Sequence, residues 1–554
     1  MSSKTMAAYI AKRRQRQVTG TSQTVKARKD QVFNSAGGAT FAVSKWDRLY
    51  RFLILGSEGG TFYVSEQKLT KDNAKNVVDC IKEDGLSTVD IIVEVSKSGR
   101  APKNDPALLA LALCTDSEYA DAETRGYAMA MLPEVARTGT HLFHFMEYAN
   151  AVRGWGRLLR EGVANWYSRL DTDRLALQII KYQQRDGWSH RDALRLAHPN
   201  PKGDATRNNL YKYIVKGRDA INFGDPMPGI IIAFERAKTA STTELVKLIT
   251  DYDLTREMVP TEKLNEVAVW EALLQKMPAT AMIRNLGKMT NIGLLRPGST
   301  NTAHVVNTLT DREILKKARV HPLQLLVALH QYGQGKGDKG SLSWSPLAQV
   351  KNALDEGFYQ AFGALESSDK NTMLAIDISG SMIWDSAKIC GTSLKAREGA
   401  AAMAMVSLRT EPNAFVTAFS AGDWRGAHGY ASGITHVTGI NRTSKLDNVV
   451  NTMSNMAAGS TDCALPMLWA LKNKVKIDTF AIYTDSETWA GQIHPFEALK
   501  QYRDAMGIPA RVVVVGMASN GFTIADPKDP GMLDVVGFDT ATPQVIADFS
   551  AGRF

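Results

Sequence analysis

The hydrophobic pattern of the chain changes near residue 370, and this change restricts the possible folds more than any other feature. From about Lys45 to Phe362, apolar residues recur at helical spacing. One such stripe consists of Trp155, Leu158, Leu159, Val163, Trp166 and Tyr167. After Asp369, short apolar runs rich in β-branched residues alternate with helical segments. We therefore predict an α-helical region followed by an α/β domain, with the boundary at residues 363–371.

The second region contains four apolar runs that predict strands. They lie at Met373–Ile378, Ala414–Phe419, Thr479–Tyr483 and Arg511–Val515. Helical segments separate them, and nearly continuous apolar strands are typical of a parallel sheet covered by helices on both faces. We expect a doubly wound sheet whose functional loops lie at the carboxyl ends of its strands.

Charge is distributed unevenly along the chain. The first 365 residues contain 50 basic and 38 acidic side chains, a net charge of +12, whereas residues 366–554 contain 16 and 19, a net charge of −3. Residues 1–29 contain eight basic side chains and no acidic one. This excess favours a polyanionic partner for the N-terminal part, because neutralised phosphates release counterions. A solvated basic surface would explain the same excess, so charge alone does not decide the function.

Composition excludes several classes of protein. The chain has 554 residues, of which 44% are hydrophobic and 22% are charged, a balance typical of globular proteins. No stretch approaches the ~18 consecutive apolar residues of a membrane helix, and the first residues lack the apolar core of a signal peptide. We therefore expect a cytoplasmic protein without membrane contact. Cys80, Cys114, Cys390 and Cys463 lie far apart and predict buried thiols rather than a disulfide framework or a zinc site.

Hydroxyl and carboxyl side chains follow the predicted strands at matching places. Asp377, Ser379 and Ser381 form a D-x-S-x-S loop after the first strand, Thr461 precedes a helix, and Asp485 follows the strand at Thr479–Tyr483. All five side chains supply hard oxygen atoms, which Mg²⁺ prefers. We predict that they bind Mg²⁺ or another divalent cation at one edge of the sheet. The alternative is that the loop residues only cap the following helix.

Basic and hydrogen-bonding side chains in the helical region are candidate contacts for the polyanionic partner. Lys181 and Arg185 are four residues apart, and we expect them to share a helix face. Gln184 and His190 add neutral hydrogen-bonding groups, and His198 could contact phosphate or ribose or stack on a base. Otherwise His198 is a helix C-cap. A basic stripe, which is either functional or solvated, consists of Arg153, Arg157 and Arg160.

These motifs resemble known families. The loop at Asp377–Ser381, with Thr461 and Asp485, resembles the metal-ion-dependent adhesion site of the von Willebrand factor A domain. Five segments of the first two thirds resemble the TROVE module of the Ro 60 kDa ribonucleoprotein family, in the form found in bacteria or phages. They are Arg137–His144, Arg153–Arg157, Lys181–His190, Arg195–His198 and Met277–Lys288. The resemblance runs from about residue 40 to the end of the chain.

The resemblance implies a domain order and an architecture. A basic segment, which could be flexible, covers residues 1–30, a TROVE ring of α-helical HEAT-like hairpins covers residues 31–365, and an A domain covers residues 366–554. In this family the A domain closes a monomeric ring around a positively charged hole. The matching lysine, arginine and histidine at Lys181, Arg185 and His198 belong to the stretch that contacts Y RNA.

The resemblance also implies a function in RNA quality control. Family members hold a small Y-type RNA on the outer basic face and admit the single-stranded 3′ ends of misfolded or unprocessed noncoding RNA into the hole. Bacterial members can be tethered through such an RNA to an exoribonuclease, polynucleotide phosphorylase. We therefore expect an RNA-binding protein that is not an enzyme. The alternative is a metal-dependent protein–protein adhesion or assembly factor acting through the A domain. A nuclease is least favoured, because two-metal catalysis requires clustered carboxylates.

Overall fold

The computed structural model describes residues 20–56, 74–222, 224–337, 341–383, 395–421, 433–436 and 439–553. The chain divides into two compact units with the boundaries near residues 51 and 365. One unit contains residues 20–51 and the described residues from 365 onward, and the other contains the described residues between 52 and 364. The predicted order of a helical region followed by a parallel-sheet domain is confirmed.

The N-terminal part of the described chain belongs to the sheet-containing unit. It comprises β1 (Val32–Phe33), β2 (Ala39–Ala42) and the part of α1 (Lys45–Leu55) before residue 52. β1 pairs with β2, and β2 pairs antiparallel with a strand at Phe522–Thr523. Phe41 is 2% exposed, and its ring contacts that of Phe496 edge-on at 5.6 Å. The structure therefore groups residues 20–51 with the sheet-containing unit, and the predicted domain limits at residues 30 and 31 stay a prediction.

The helical unit contains seventeen further α-helices in its described residues. The first eight are α2 (Lys75–Glu83), α3 (Gly85–Ser98), α4 (Asp105–Leu113), α5 (Ala122–Val135), α6 (Gly139–Arg153), α7 (Arg157–Arg169), α8 (Thr172–Lys181) and α9 (His190–Ala197). The others are α10 (Ala205–Lys216), α11 (Gly229–Ala237), α12 (Thr242–Tyr252), α13 (Val267–Leu274), α14 (Ala279–Asn291), α15 (Thr300–Thr310), α16 (Arg312–Lys317), α17 (Pro322–Gln334) and α18 (Ala348–Gln360). Short 3₁₀ helices lie at Arg218–Ala220, Arg256–Met258 and Thr261–Asn265.

Early helices of this unit pack against the helix two places along the chain. α3 contacts α5, α4 contacts α6, and α5 contacts α7. Near the end of the unit, α15 and α17 both pack on α18. Buried leucines such as Leu109 and Leu132 fill the layers between them. This arrangement agrees with the predicted helical hairpins. The predicted closed ring depends on how the two units are arranged, and it stays a prediction.

The predicted strands of the second unit all occur. Its parallel strands are β5 (Thr372–Asp377), β6 (Ala414–Ser420), β8 (Thr479–Thr484), β9 (Arg511–Gly516) and β11 (Met532–Val536). They lie in the order β11-β9-β8-β5-β6, and β7 (Gly433–His436) adds an antiparallel edge beside β6. The remaining strand is β10 (Phe522–Thr523). The helices are α19 (Ala396–Thr410), α20 (Leu446–Ser454), α21 (Leu465–Lys472), α22 (Pro495–Met506) and α23 (Thr542–Ala551).

Side chains that alternate along the strands are buried on both faces of this sheet. Met373 and Ala375 of β5 share one core cluster with Met467 of α21 and Leu499 of α22. Ile376 is also fully buried, and its side chain points to the other face, on which α19 packs. The sheet is therefore covered on both sides, and β5 is a central strand whose carboxyl end opens onto the loop that begins with Asp377.

Two further expectations concern membranes and thiols. None of the helices in the described ranges is long and apolar enough to span a membrane. Cys80, Cys114 and Cys463 are buried and form no disulfide bond with one another, as predicted. Cys390 lies outside the described residues.

Candidate metal centre and nucleic-acid interface

The candidate metal loop begins at the carboxyl end of the central strand β5. Asp377 is fully buried, and its two carboxylate oxygens accept different hydrogen bonds. One accepts from the backbone N–H of Ser379 at 2.8 Å, and the other accepts from the hydroxyl of Thr484 at 2.6 Å. The hydroxyl oxygens of Ser379 and Ser381 lie 3.2 Å apart. The three loop ligands predicted from the sequence thus converge.

Asp485 adds a second carboxylate from the neighbouring strand. It follows β8, which pairs with β5, and it is 7% exposed. Burial, and secondly the negative charge of Asp485, raise the pKa of Asp377 to about 7. Burial also raises the pKa of Asp485, and a hydrogen bond from the side chain of Ser381 partly offsets this increase. A divalent cation would neutralise this buried pair, and the oxygen donors match those of Mg²⁺.

Thr461 is brought to the same edge through its backbone. The carbonyl of Gly459 accepts from the N–H of Gly380 at 3.0 Å, and Ser460 exchanges hydrogen bonds with Ala421 at the end of β6. Thr461 itself is 3% exposed. All five predicted ligands therefore lie in segments that meet at the carboxyl ends of β5, β6 and β8. Within the described ranges, no three His, Cys, Asp or Glu side chains form a metal-binding group, so hydroxyls would have to contribute to any site here.

A glutamine from the N-terminal segment, residues 20–44, joins two loops of this centre. Gln23 is fully buried, and its amide N–H groups donate to the Asp462 carboxylate and to the carbonyl of Ile493, both at 2.8 Å. Its amide oxygen accepts from the hydroxyl of Thr488 at 2.6 Å. Asn34 donates to the carbonyl of Ser486 at 3.1 Å. Sequence reasoning missed these residues, because their partners lie more than 400 positions away.

The region around Lys181 and Arg185 is a helix end followed by a hairpin. α8 ends at Lys181, and β3 (Gln184–Arg185) pairs with β4 (Trp188–Ser189). The turn residues Asp186 and Gly187 have φ of 52° and 80°, as in a type I′ turn. The prediction that Lys181 and Arg185 share a helix face is therefore wrong. An Asp-Gly pair between two short extended stretches was the signal for this turn.

The hairpin exposes two of the predicted RNA contacts, while Lys181 has a different environment. Gln184 and Arg185 are exposed, and the guanidinium of Arg185 lies 3.5 Å from the carboxylate of Asp186. Lys181 is half-buried and borders a cavity of about 160 Å³, which Arg256 and Lys276 also line. Cations thus lie both at the hairpin and at this cavity.

The two histidines of this region differ in exposure. His190 is 2% exposed, its Nδ1 is hydrogen-bonded to the Tyr167 hydroxyl at 2.6 Å, and its ring contacts Phe143. Burial lowers its pKa to about 4. The prediction that His190 contacts RNA is therefore wrong, because its polar atoms face the core. His198 is the C-cap of α9, with φ 47° and ψ 54°, and its side chain is exposed. The eight residues of α9 place it about 12 Å from the hairpin.

The arginine stripe is divided between two helices. α6 ends at Arg153, the chain turns at Gly154 with φ 74°, and α7 begins at Arg157. The guanidinium of Arg153 donates to the carbonyl of Thr115 at 2.9 Å. Arg157 and Arg160 are exposed, and Arg157 forms an ion pair with Glu161 at 2.7 Å. The prediction that the three arginines share one helix is therefore wrong, because glycines interrupt the helix between Arg153 and Arg157.

Two tryptophans bring the divided stripe and the hairpin together. Trp155 lies in the link between α6 and α7, and Trp188 lies on β4. Their rings stack with centroids 5.9 Å apart and an interplanar angle of 25°. The indole N–H of Trp188 also donates to the Glu147 carboxylate at 2.9 Å. The stack joins the segment of Arg153 and Arg157 to the hairpin that contains Arg185, which makes one basic and aromatic surface.

Comparisons with known proteins cover both units. The model of the TROVE domain matches residues 32–225 and 246–331, and the model of the Ro60 vWA domain matches residues 371–550. The Deinococcus radiodurans RNA-binding protein RO60 is 42% identical over 534 residues, which span 96% of this chain and 97% of that protein. The Caenorhabditis elegans RNA-binding protein RO60 is 35% identical over 607 residues, spanning 96% and 92% of the two chains.

A solved structure is similar over most of the chain. The crystal structure of the Deinococcus radiodurans RO (RSR) protein superposes with a TM-score of 0.68 at 41% identity. The match covers 92% of this chain and all of that one.

Proposed function

Because the chain belongs to the Ro60 family of TROVE and von Willebrand factor A proteins, we propose that it binds RNA through the surface at the β3–β4 hairpin. One observation supports this site most. The stack of two tryptophans brings the exposed Arg185 and Gln184 of the hairpin next to the segment that contains Arg157. Exposed guanidinium and amide groups beside aromatic rings suit phosphate and base contacts.

The ligands that we propose are noncoding RNAs. A Y-type RNA binds on the basic outer surface, and misfolded or unprocessed RNA binds through a single-stranded 3′ end, for quality control, processing or decay. The net charge of +12 on the first 365 residues supports a polyanionic ligand. A tethered exoribonuclease, a monomeric ring and a cytoplasmic location belong to the same proposal and rest on the family resemblance.

We also propose that the A domain binds one Mg²⁺ through Asp377, Ser379, Ser381, Thr461 and Asp485. The buried pair of carboxylates supports a cation there. This centre favours a second candidate function, metal-dependent protein–protein adhesion or assembly. Trp489 is 41% exposed, and its backbone N–H donates to the carbonyl of Thr461, so an apolar partner surface could meet the metal edge.

The RNA proposal is tested by replacing Lys181 and Arg185 with alanine. We expect weaker binding of a structured noncoding RNA and a salt dependence that is shallower by roughly 0.7 to 0.9 for each phosphate that the variant no longer neutralises. Filter binding across a salt series measures both. Affinity should survive chelation of divalent cations by EDTA if RNA binds the helical unit rather than the A domain.

A matched control removes the same charge elsewhere. Lys316 and Lys317 on α16 are exposed, and their replacement by alanine also removes two positive charges. This variant should bind RNA nearly as the native protein does. Equal losses in both double variants would contradict a localised site at the hairpin.

A further inference from the structure

We propose that Trp155 and Trp188 form a stacking element for the bases of single-stranded RNA. This inference rests on the proposed function and specifies which part of the RNA the hairpin surface recognises. The two indole rings are stacked on each other, and both residues are half-buried rather than fully enclosed. A base could extend this stack by one more layer.

The rings are held in place before any ligand arrives. The Trp188 indole donates to Glu147 on α6, and the turn residue Asp186 accepts a hydrogen bond from His144 on the same helix. α6 contacts both strands of the hairpin. A stacking surface that is already ordered loses little conformational entropy on binding, which favours affinity.

The surrounding charges favour RNA over an apolar peptide as the ligand. Arg185 is the cross-strand partner of Trp188, so their side chains lie on the same face of the hairpin. On the other side of the stack, Arg153 and Arg157 flank Trp155 in the chain. Three acidic side chains also lie here: Glu147 accepts from the Trp188 indole, Asp186 contacts Arg185 and His144, and Glu161 pairs with Arg157. Aromatic rings between cations are the usual combination for binding single-stranded nucleic acid.

Single strands are preferred over duplexes for a geometric reason. Bases within an A-form duplex are stacked on one another and present only their edges, whereas unpaired bases can be stacked on aromatic side chains. Base–aromatic stacking tolerates all sequences, because every base has a flat face. The element should therefore recognise unpaired nucleotides without strong sequence preference.

The decisive experiment separates stacking from charge with two probes of equal length. One probe is a short oligoadenylate, and the other is an abasic oligonucleotide with the same number of phosphates. Trp155→Leu and Trp188→Leu should each weaken oligoadenylate binding at least about fivefold and leave binding of the abasic probe unchanged. Arg185→Ala should weaken both probes. Fluorescence anisotropy gives the affinities, and circular dichroism with thermal melting verifies folding.

Conservative variants protect this test against misfolding. Trp155→Phe and Trp188→Phe keep an aromatic face and should retain most of the affinity for oligoadenylate. If the leucine variants fold and bind oligoadenylate like the native protein, or if they weaken both probes equally, the stacking element is wrong while RNA binding at the hairpin stands. If the native protein binds neither probe nor structured RNA, both the proposed function and this inference are wrong.

Discussion

His190 shows how burial changes the meaning of a residue. Its motif suggested a hydrogen-bonding contact for RNA, but its imidazole is enclosed by Tyr167 and Phe143. Burial lowers its pKa from 6.5 to about 4, because the charged imidazolium would lose its hydration. The same residue therefore stabilises the helical unit only while it is neutral.

This shift predicts a dependence of stability on pH. Between pH 6.5 and 4 the unfolded chain binds a proton at His190 and the folded chain does not, so stability falls as the pH falls. The contribution of His190 should decline by up to about 2 kcal/mol between pH 6.5 and 5. We expect His190→Gln to be less stable at pH 7 and to lose less stability on acidification. Denaturant unfolding at both pH values measures this, and parallel pH profiles would contradict the prediction.

Asp377 is the residue on which metal binding should depend most. Asp377→Ala leaves one carboxylate at the centre, too little negative charge to offset the dehydration of Mg²⁺. The native protein should melt at a higher temperature with magnesium, and the variant should not respond. Because β5 is held by its apolar core, the variant should still fold. An undiminished magnesium shift in Asp377→Ala would rule out this ligand set.

At the scale of elements, the N-terminal segment supports the proposed metal centre. Gln23 bonds both the residue after Thr461 and the loop that follows Asp485. Partners that orient metal-bearing loops typically contribute 10–100-fold to metal affinity. We expect Gln23→Ala to weaken magnesium binding about tenfold, as measured by calorimetric titration.

Gln31→Ala is the matched control for the segment. Gln31 is also buried, but its side chain forms hydrogen bonds with Ala27, Arg28, Ala39 and His494. None of these partners lies in residues 459–488, which contain the candidate ligands Thr461 and Asp485. It should lower stability without a comparable loss of magnesium affinity. If both variants bind magnesium equally well, Gln23 acts on folding alone.

At the scale of the whole molecule, charge and architecture predict how a misfolded RNA is held. The positive excess lies in the first 365 residues, and residues 1–51 alone hold 11 basic and 2 acidic side chains, a net charge of +9, whereas residues 366–554 have a net charge of −3. If a single-stranded 3′ end enters a basic hole, trimming that tail should weaken binding although most phosphates of the RNA remain. Titrations with tails of graded length measure this. Affinity that is independent of tail length, and abolished by the hairpin substitutions, would indicate one outer site.

The sequence alone determined the features that are local in the chain. Hydrophobic periodicity separated the helical region from the parallel sheet, because it reflects burial over a few consecutive residues. The loop at Asp377–Ser381 was recognisable because its candidate ligands lie within five residues at a strand end. The Asp186-Gly187 turn was equally local, and its signal was present although the helix prediction overlooked it.

Only the tertiary structure decided which distant residues meet. β2 pairs with β10 about 480 positions later, Gln23 contacts Asp462 and Thr488, and Trp155 stacks on Trp188. It also decided that His190 is buried and that His198 is exposed. Such contacts leave no periodic pattern in the sequence, because each depends on the packing of separate elements rather than on neighbouring residues along the chain.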